Sequence, residues 1–158
     1  MRCIFFCSLL FVFGCTQSKP QTTTQKVVGT AIADSIIASV DVATPQPIDS
    51  LDWSNLIQLM ESLNEIPFEQ RKITLETLKK EAVTFSSQVW PVELDTNPFR
   101  SRYTVFLTDV YVASDKRFSD NAAEQQAEAI AKMKYSWNVF VSHMRTNKSS
   151  AVLEMAPR

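Results

Sequence analysis

From Thr30 to Arg158 the chain contains no glycine; its two glycines are Gly14 and Gly29. Type I′, II′ and II turns place residues at positive φ, which glycine supplies most readily. A hairpin-rich meander, sandwich or barrel is therefore disfavoured. Phosphate-cradling loops and dinucleotide-binding turns need glycines at fixed spacing, and both are excluded. With 16 Lys+Arg against 17 Asp+Glu in 158 residues, the chain has no field that would attract nucleic acid. Its length suits one domain. The expectation is an all-α protein without a visible catalytic signature, and so not an enzyme.

The N-terminus carries the address. Met1-Arg2 precedes an apolar run from Cys3 to Phe13, followed by Gly14-Cys15. A positive charge and a short apolar stretch are the plan of a secretory signal peptide. A membrane-spanning helix would need roughly 20 apolar residues. Val12-Phe13-Gly14-Cys15 resembles a bacterial lipobox, departing from the usual pattern at Phe13. The resemblance implies cleavage before Cys15, acylation of Cys15 (palmitate among the chains) and attachment of the mature protein to membrane lipid. Cys3 and Cys7 would leave with the signal peptide, so no free thiol or disulfide remains. Thr16 follows the cysteine, not the aspartate that retains enteric lipoproteins in the inner membrane. The resemblance thus places the protein in the cell envelope, on the periplasmic face of the outer membrane.

Residues 16–50 are rich in Thr, Ser, Gln, Ala and Pro. As free coil they would span roughly 30–35 Å, enough to hold a domain off a membrane. Within them Val28, Ile32, Ile36 and Val40 repeat every four residues; a docked helix and an extended strand both remain open for 28–40. Asp34-Ser35-Ile36 and Asp49-Ser50-Leu51 resemble the Asp-Ser/Thr-apolar sequon of a bacterial O-glycosylation system, with Ser35 and Ser50 as acceptors. Asp-Ser pairs also serve as caps and turns.

Beyond residue 51 the apolar period is helical. Trp53, Leu56, Met60 and Leu63 form one stripe; Phe68, Leu75, Leu78, Ala82, Phe85 and Val89 form a second. Phe99, Tyr103, Phe106 and Val110, widened by Leu107 and Tyr111, form a third. Ala123, Ile130, Met133, Trp137, Phe140 and Met144 form the longest. Without glycine caps, the helices are expected to rely on Pro67 and Pro91 as punctuation and on Asn97 and Asn121 as N-caps. Short connections imply an antiparallel up-down bundle of three to four helices. The expected layout is a signal peptide at 1–14, a lipidated tether at 15–50, a bundle at 51–148 and a tail at 149–158.

Chemistry-bearing residues are sparse. His143 is the only histidine, whereas catalytic zinc commonly takes two or three. Met60 and His143 fall on the first and last of the expected bundle helices, an arrangement similar in topology to a haem-binding b-type cytochrome. The other reading of His143 is a helix-edge side chain. No cofactor or metal is assigned. Glu65, Glu69, Glu76, Glu124 and Glu128 read as solvated helix faces. Trp90, Tyr103 and Tyr111 are candidates for an exposed aromatic interface, with burial at the bundle end as the alternative. Ile66-Pro67-Phe68-Glu69-Gln70-Arg71-Lys72-Ile73 resembles the helix opening of Spy-like periplasmic chaperones and stress adaptors, with a fainter copy at Phe118-Ser119-Asp120. The expected function is a non-enzymatic protein-interaction or structural module with an envelope protein as partner. A Spy-like chaperone is the alternative, ahead of a haem-binding bundle.

Overall fold

A computed structural model describes residues 31–48, 51–118 and 122–154, with side chains through residue 144. Among these residues the protein is all-helical, its one bridge being the isolated pair Ile48 and Leu51. Helix α1 covers described residues 31–38. It is followed by α2 (Ser54–Ser62), α3 (Phe68–Ser86), α4 (Asn97–Ala113) and α5 (Ala123–Glu154), with a 3-10 turn at Lys116–Phe118. That is five helices among the described residues, where three to four were expected. The added one is α1, so the choice left open for 28–40 resolves as helix over 31–38. The packed body begins ahead of the expected boundary at 51, because Ala33 and Ile37 are completely buried. At the other end, α5 continues through the expected boundary at 148.

Heptad-like spacing accounts for the three long helices. In α5, Ala127, Ile130, Lys134, Trp137, Val141 and Met144 recur at alternating steps of three and four, and all are buried. In α4 the buried row is Phe99, Tyr103, Phe106, Val110 and Ala113. In α3 it is Arg71, Leu75, Leu78, Ala82 and Phe85. Such rows turn one face of each helix inward. Consecutive helices pack on one another, α2 on α3, α3 on α4 and α4 on α5. Phe99 meets His143, Phe106 meets Trp137 and Asp109 meets Lys132, so α4 and α5 run antiparallel.

The helix ends show what a glycine-free chain does instead of capping with a left-handed residue. No described residue has positive φ. Leu63, Ser87 and Ser114 close α2, α3 and α4 with φ between -62° and -90° and ψ near zero. Their backbone N–H groups donate to carbonyls of the last turn, as at Ser87 to Thr84 and Ser114 to Val110. These bonds satisfy carbonyls that an αL glycine would otherwise serve. The expected N-caps are corrected. Pro67 is itself the N-cap of α3, Thr96 and not Asn97 precedes α4, and neither end has a side-chain cap hydrogen bond. Asn121 lies outside the described residues.

Phe140 is the hub of the core. Its ring meets Trp53, Trp90, Phe99, Tyr103 and Trp137 at centroid distances of 5.4–6.2 Å, mostly edge to face. Trp90 and Tyr103 therefore belong to the interior. Each is 3% exposed, the Tyr103 hydroxyl donates to the Ala82 carbonyl at 2.7 Å, and the Trp90 indole is covered by the Arg100 guanidinium. The surface-patch reading of these two residues is corrected. Packing against neighbouring rings outweighs any gain from leaving such large apolar areas in water. Val89 is corrected in the opposite sense: it lies past the end of α3 and is 90% exposed.

Candidate functional site

Two regions stand out once the core is placed. The first is the outer face of α4. Its exposed positions are Asn97, Pro98, Ser101, Thr104, Val105, Thr108, Tyr111 and Val112, none of them charged, with the partly exposed Arg100 and Arg102 at their edges. The hydroxyls of Thr104 and Thr108 donate to the carbonyls of Arg100 and Thr104, both at 2.8 Å. With their polar groups turned onto the backbone, both threonines leave methyl groups for the surface. Tyr111 is half-exposed, and the Lys79 ammonium lies 5.9 Å from its ring centroid. By contrast, the exposed face of α3 carries Glu69, Lys72 and Lys80, and that of α5 carries Glu124, Glu128 and Lys132. Of the three expected interface aromatics, Tyr111 alone is on the surface.

The second region is the junction where the N-terminal arm, residues 31–48, lies on α3 and α5. The arm is held by side chains reading its main chain. Asn138 accepts from the Ala43 N–H and donates to the Asp41 carbonyl, each at 2.7 Å. The Trp137 indole donates to the Ala43 carbonyl at 2.8 Å. Lys134 is fully buried, donating to the Ile37 carbonyl at 3.1 Å and to the Asn64 side chain. It thus sits at the C-terminal end of α1, where the helix dipole favours a cation. Burial nevertheless pushes its ammonium down to about 8; Asp41 and Glu61 oppose that shift and Arg71 adds to it. Arg71 of α3, 1% exposed, pairs through Nη2 with Asp34 of α1. Its Nε and Nη1 are buried without a hydrogen-bond partner.

This junction bears on two sequence motifs. Asp34 of the Asp34-Ser35-Ile36 sequon is the counter-ion of Arg71, and the exposed Ser35 donates its hydroxyl to the Ile32 carbonyl at 2.7 Å. Arg71 of the chaperone-like Ile66–Ile73 stretch is the buried partner, so both matches coincide with one ion pair. Phe118 of the fainter copy is buried in the 3-10 turn. Cys15, Ser50, Ser119 and Asp120 lie outside the described residues.

Met60 is wholly buried in α2, and Met133 and Met144 are buried in α5. His143 stacks on Phe99 with ring centroids 4.9 Å apart, and its Nε2 is buried without a hydrogen-bond partner. Burial first, then the nearby Arg102, hold its imidazolium below the usual 6.5. A proton NMR titration of this ring is expected to give a midpoint under 6.5 that rises in Arg102→Gln; an unchanged midpoint would mean that the guanidinium is screened by water. Among the described residues no group of three or more His, Cys, Asp or Glu side chains is placed to hold a metal ion. No helix there is long and apolar enough to cross a membrane.

Sequence reasoning missed Arg71, Lys134, Asn138 and Asp34. One of them left a signal. Arg71 fills the seven-residue gap between Phe68 and Leu75, whereas Lys134 leaves none, because Met133 already fills the step between Ile130 and Trp137. A charge in such a row predicts a buried ion with a partner. No family model matches the chain, and no curated protein or solved structure is significantly similar to it.

Proposed function

We propose that the protein is a non-enzymatic binding module of the bacterial envelope, anchored to the periplasmic face of the outer membrane by lipid on Cys15. The observation that carries the binding reading is the uncharged outer face of α4. Charged residues are depleted and tyrosine is enriched at the centres of protein interfaces. A face presenting Thr104, Val105, Thr108, Tyr111 and Val112 fits that composition. The reading takes the helices as an antiparallel up-down bundle, which is supported by the pairing of Phe99 with His143 and of Tyr103 with Ala82 across neighbouring helices. The bundle leaves one side of α4 to the partner.

A photo-crosslinking residue at Thr108, tested in intact cells, is expected to give one discrete adduct with an envelope protein. The same probe at Lys72, on the charged face of α3, should not give it. Identical patterns at both positions would sink the α4 reading. The anchor is tested separately: mass spectrometry of the mature protein should find Cys15 as an acylated first residue, and Cys15→Ser should abolish membrane retention. An unmodified Cys15 in a processed or intact chain would refute the lipid anchor.

A further inference from the structure

Helix α4 carries two rows of side chains. One is the buried row that builds the core. The other, Pro98, Ser101, Val105, Thr108 and Val112, recurs at the same alternating steps of three and four and is exposed throughout. Spacing of that kind forms a seam that a second helix can fill. Thr104 and Thr108 keep their hydroxyls on main-chain carbonyls, so covering the seam strands neither of them.

The occupant must be as free of charge as the seam, because a charge buried against it loses water and gains no partner. Among the described helices, exposed positions carry Asp34 on α1, Glu61 on α2, Lys72 on α3 and Glu128 on α5. Only α4 exposes no charge along its outer row. The surface of a second copy that matches α4 is therefore α4 itself.

Charges just beyond the helix ends set the direction. Asp95–Arg100 and Asp115–Arg117 are internally neutral pairs, and Arg102 lies on the α5 side beside His143. That leaves Glu93 in the connection entering α4 and Lys116 in the 3-10 turn leaving it, both exposed. Glu76 of α3, which Lys116 also attracts, is held by Lys79. Glu93 stands twelve residues before Val105 and Lys116 eleven after it. Two α4 helices crossing antiparallel at Val105 bring each Glu93 to the other copy's Lys116, whereas a parallel pair would set like charges together.

We propose that the seam is a contact between two copies of this chain. α4 packs antiparallel on α4 about a two-fold axis at Val105, with Tyr111 and Val112 of one helix over Pro98 of the other. This names the partner of the binding face and so rests on that reading. The seam from Pro98 to Val112 is about 21 Å long and one helix, about 10 Å, wide. A contact of that size belongs at the weak end of specific interfaces. Confinement to one membrane surface through Cys15 raises the local concentration of copies, and the dimer is expected there.

Cysteine pairing in intact cells tests this on the full chain. Val105→Cys should form a disulfide-linked pair about tenfold faster than Thr84→Cys on α3, with wild type reporting any bond through Cys15. Co-expressed Pro98→Cys and Val112→Cys chains should join each other and not themselves. All four positions are exposed, so the substitutions leave the core intact. Equal rates at Val105 and Thr84 overturn the proposal, as does pairing of Pro98→Cys with itself, which marks parallel helices. The Thr108 probe separates this assignment from the reading beneath it. An adduct of two chains supports the dimer; an adduct only with a different protein overturns it and leaves the binding face standing. The absence of any discrete adduct at Thr108 removes both.

Discussion

Phe140→Ala is expected to lower the unfolding free energy by about 3–5 kcal/mol, the range for removing a buried aromatic side chain. The upper half of that range applies here because the ring touches five other aromatic rings drawn from several elements: Trp53 before α2, Trp90 in the α3–α4 connection, Phe99 and Tyr103 in α4, and Trp137 in α5. Those neighbours are held in edge-to-face or, for Trp137, tilted arrangements, each contributing about 0.5–1.5 kcal/mol beyond area burial, and none can collapse into the vacancy without leaving another partner. Urea denaturation followed by tryptophan fluorescence measures the loss directly. Tyr135→Ala, on the same helix but 65% exposed, should stay within about 0.5 kcal/mol of wild type. Similar losses for the two substitutions would mean that the cluster is not the centre of the fold.

The residues around Phe140 also show where the sequence was readable and where it was not. Rows such as Phe99-Tyr103-Phe106-Val110 announce helix and buried face together, because the period of a helix forces them onto one side. The same periodicity includes Tyr111, which lies one step past Val110 and faces outward; a row has an edge, and the pattern alone does not say how wide the covered stripe is. Trp90 lies outside any helix, so no period could place it. Its burial depends on the chain between Ser86 and Asn97 folding back over Phe85. Helix starts were misread for a local reason: Asn97-Pro98 has the composition of a cap, but Thr96 already holds the extended conformation that a cap needs.

The arm was hardest to read. Its anchors are separated from their partners by 37 residues at Asp34 and Arg71 and by 97 at Ile37 and Lys134. Three of the arm's contacts, at Ile37, Asp41 and Ala43, engage carbonyls, which every residue possesses. A backbone-reading site leaves no composition of its own in the segment it binds. What the sequence did hold was part of the other half, in Arg71, which falls in the gap of one apolar row. The uncharged face of α4 was legible only after the opposite face had been identified as core.

The buried lysine carries the second large effect, which is a dependence on pH. Lys134 sits among Arg71 of α3, Asp41 of the arm and Glu61 of α2, and burial brings its folded-state value to about 8 against the ordinary 10.5. Between those values the unfolded chain binds a proton that the folded chain has released, so stability rises with pH. Over the whole interval the gain is about 3 kcal/mol, at 1.36 kcal/mol for each pH unit. Below about pH 8 both states are charged and the contribution is flat. Losing the proton leaves two N–H groups, enough for both the Ile37 carbonyl and the Asn64 side chain, so the neutral amine still holds the arm. Tyr103 acts in the opposite sense: burial raises its hydroxyl above the ordinary 10.0, and stability falls once the unfolded chain's tyrosine ionises. Measurements between pH 8 and 9.5 therefore separate the two. In that window the wild-type unfolding free energy should climb by about 1–2 kcal/mol relative to Lys134→Met, which retains the apolar stem and cannot titrate. Parallel curves would mean that water reaches the ammonium and that the arm does not seal it.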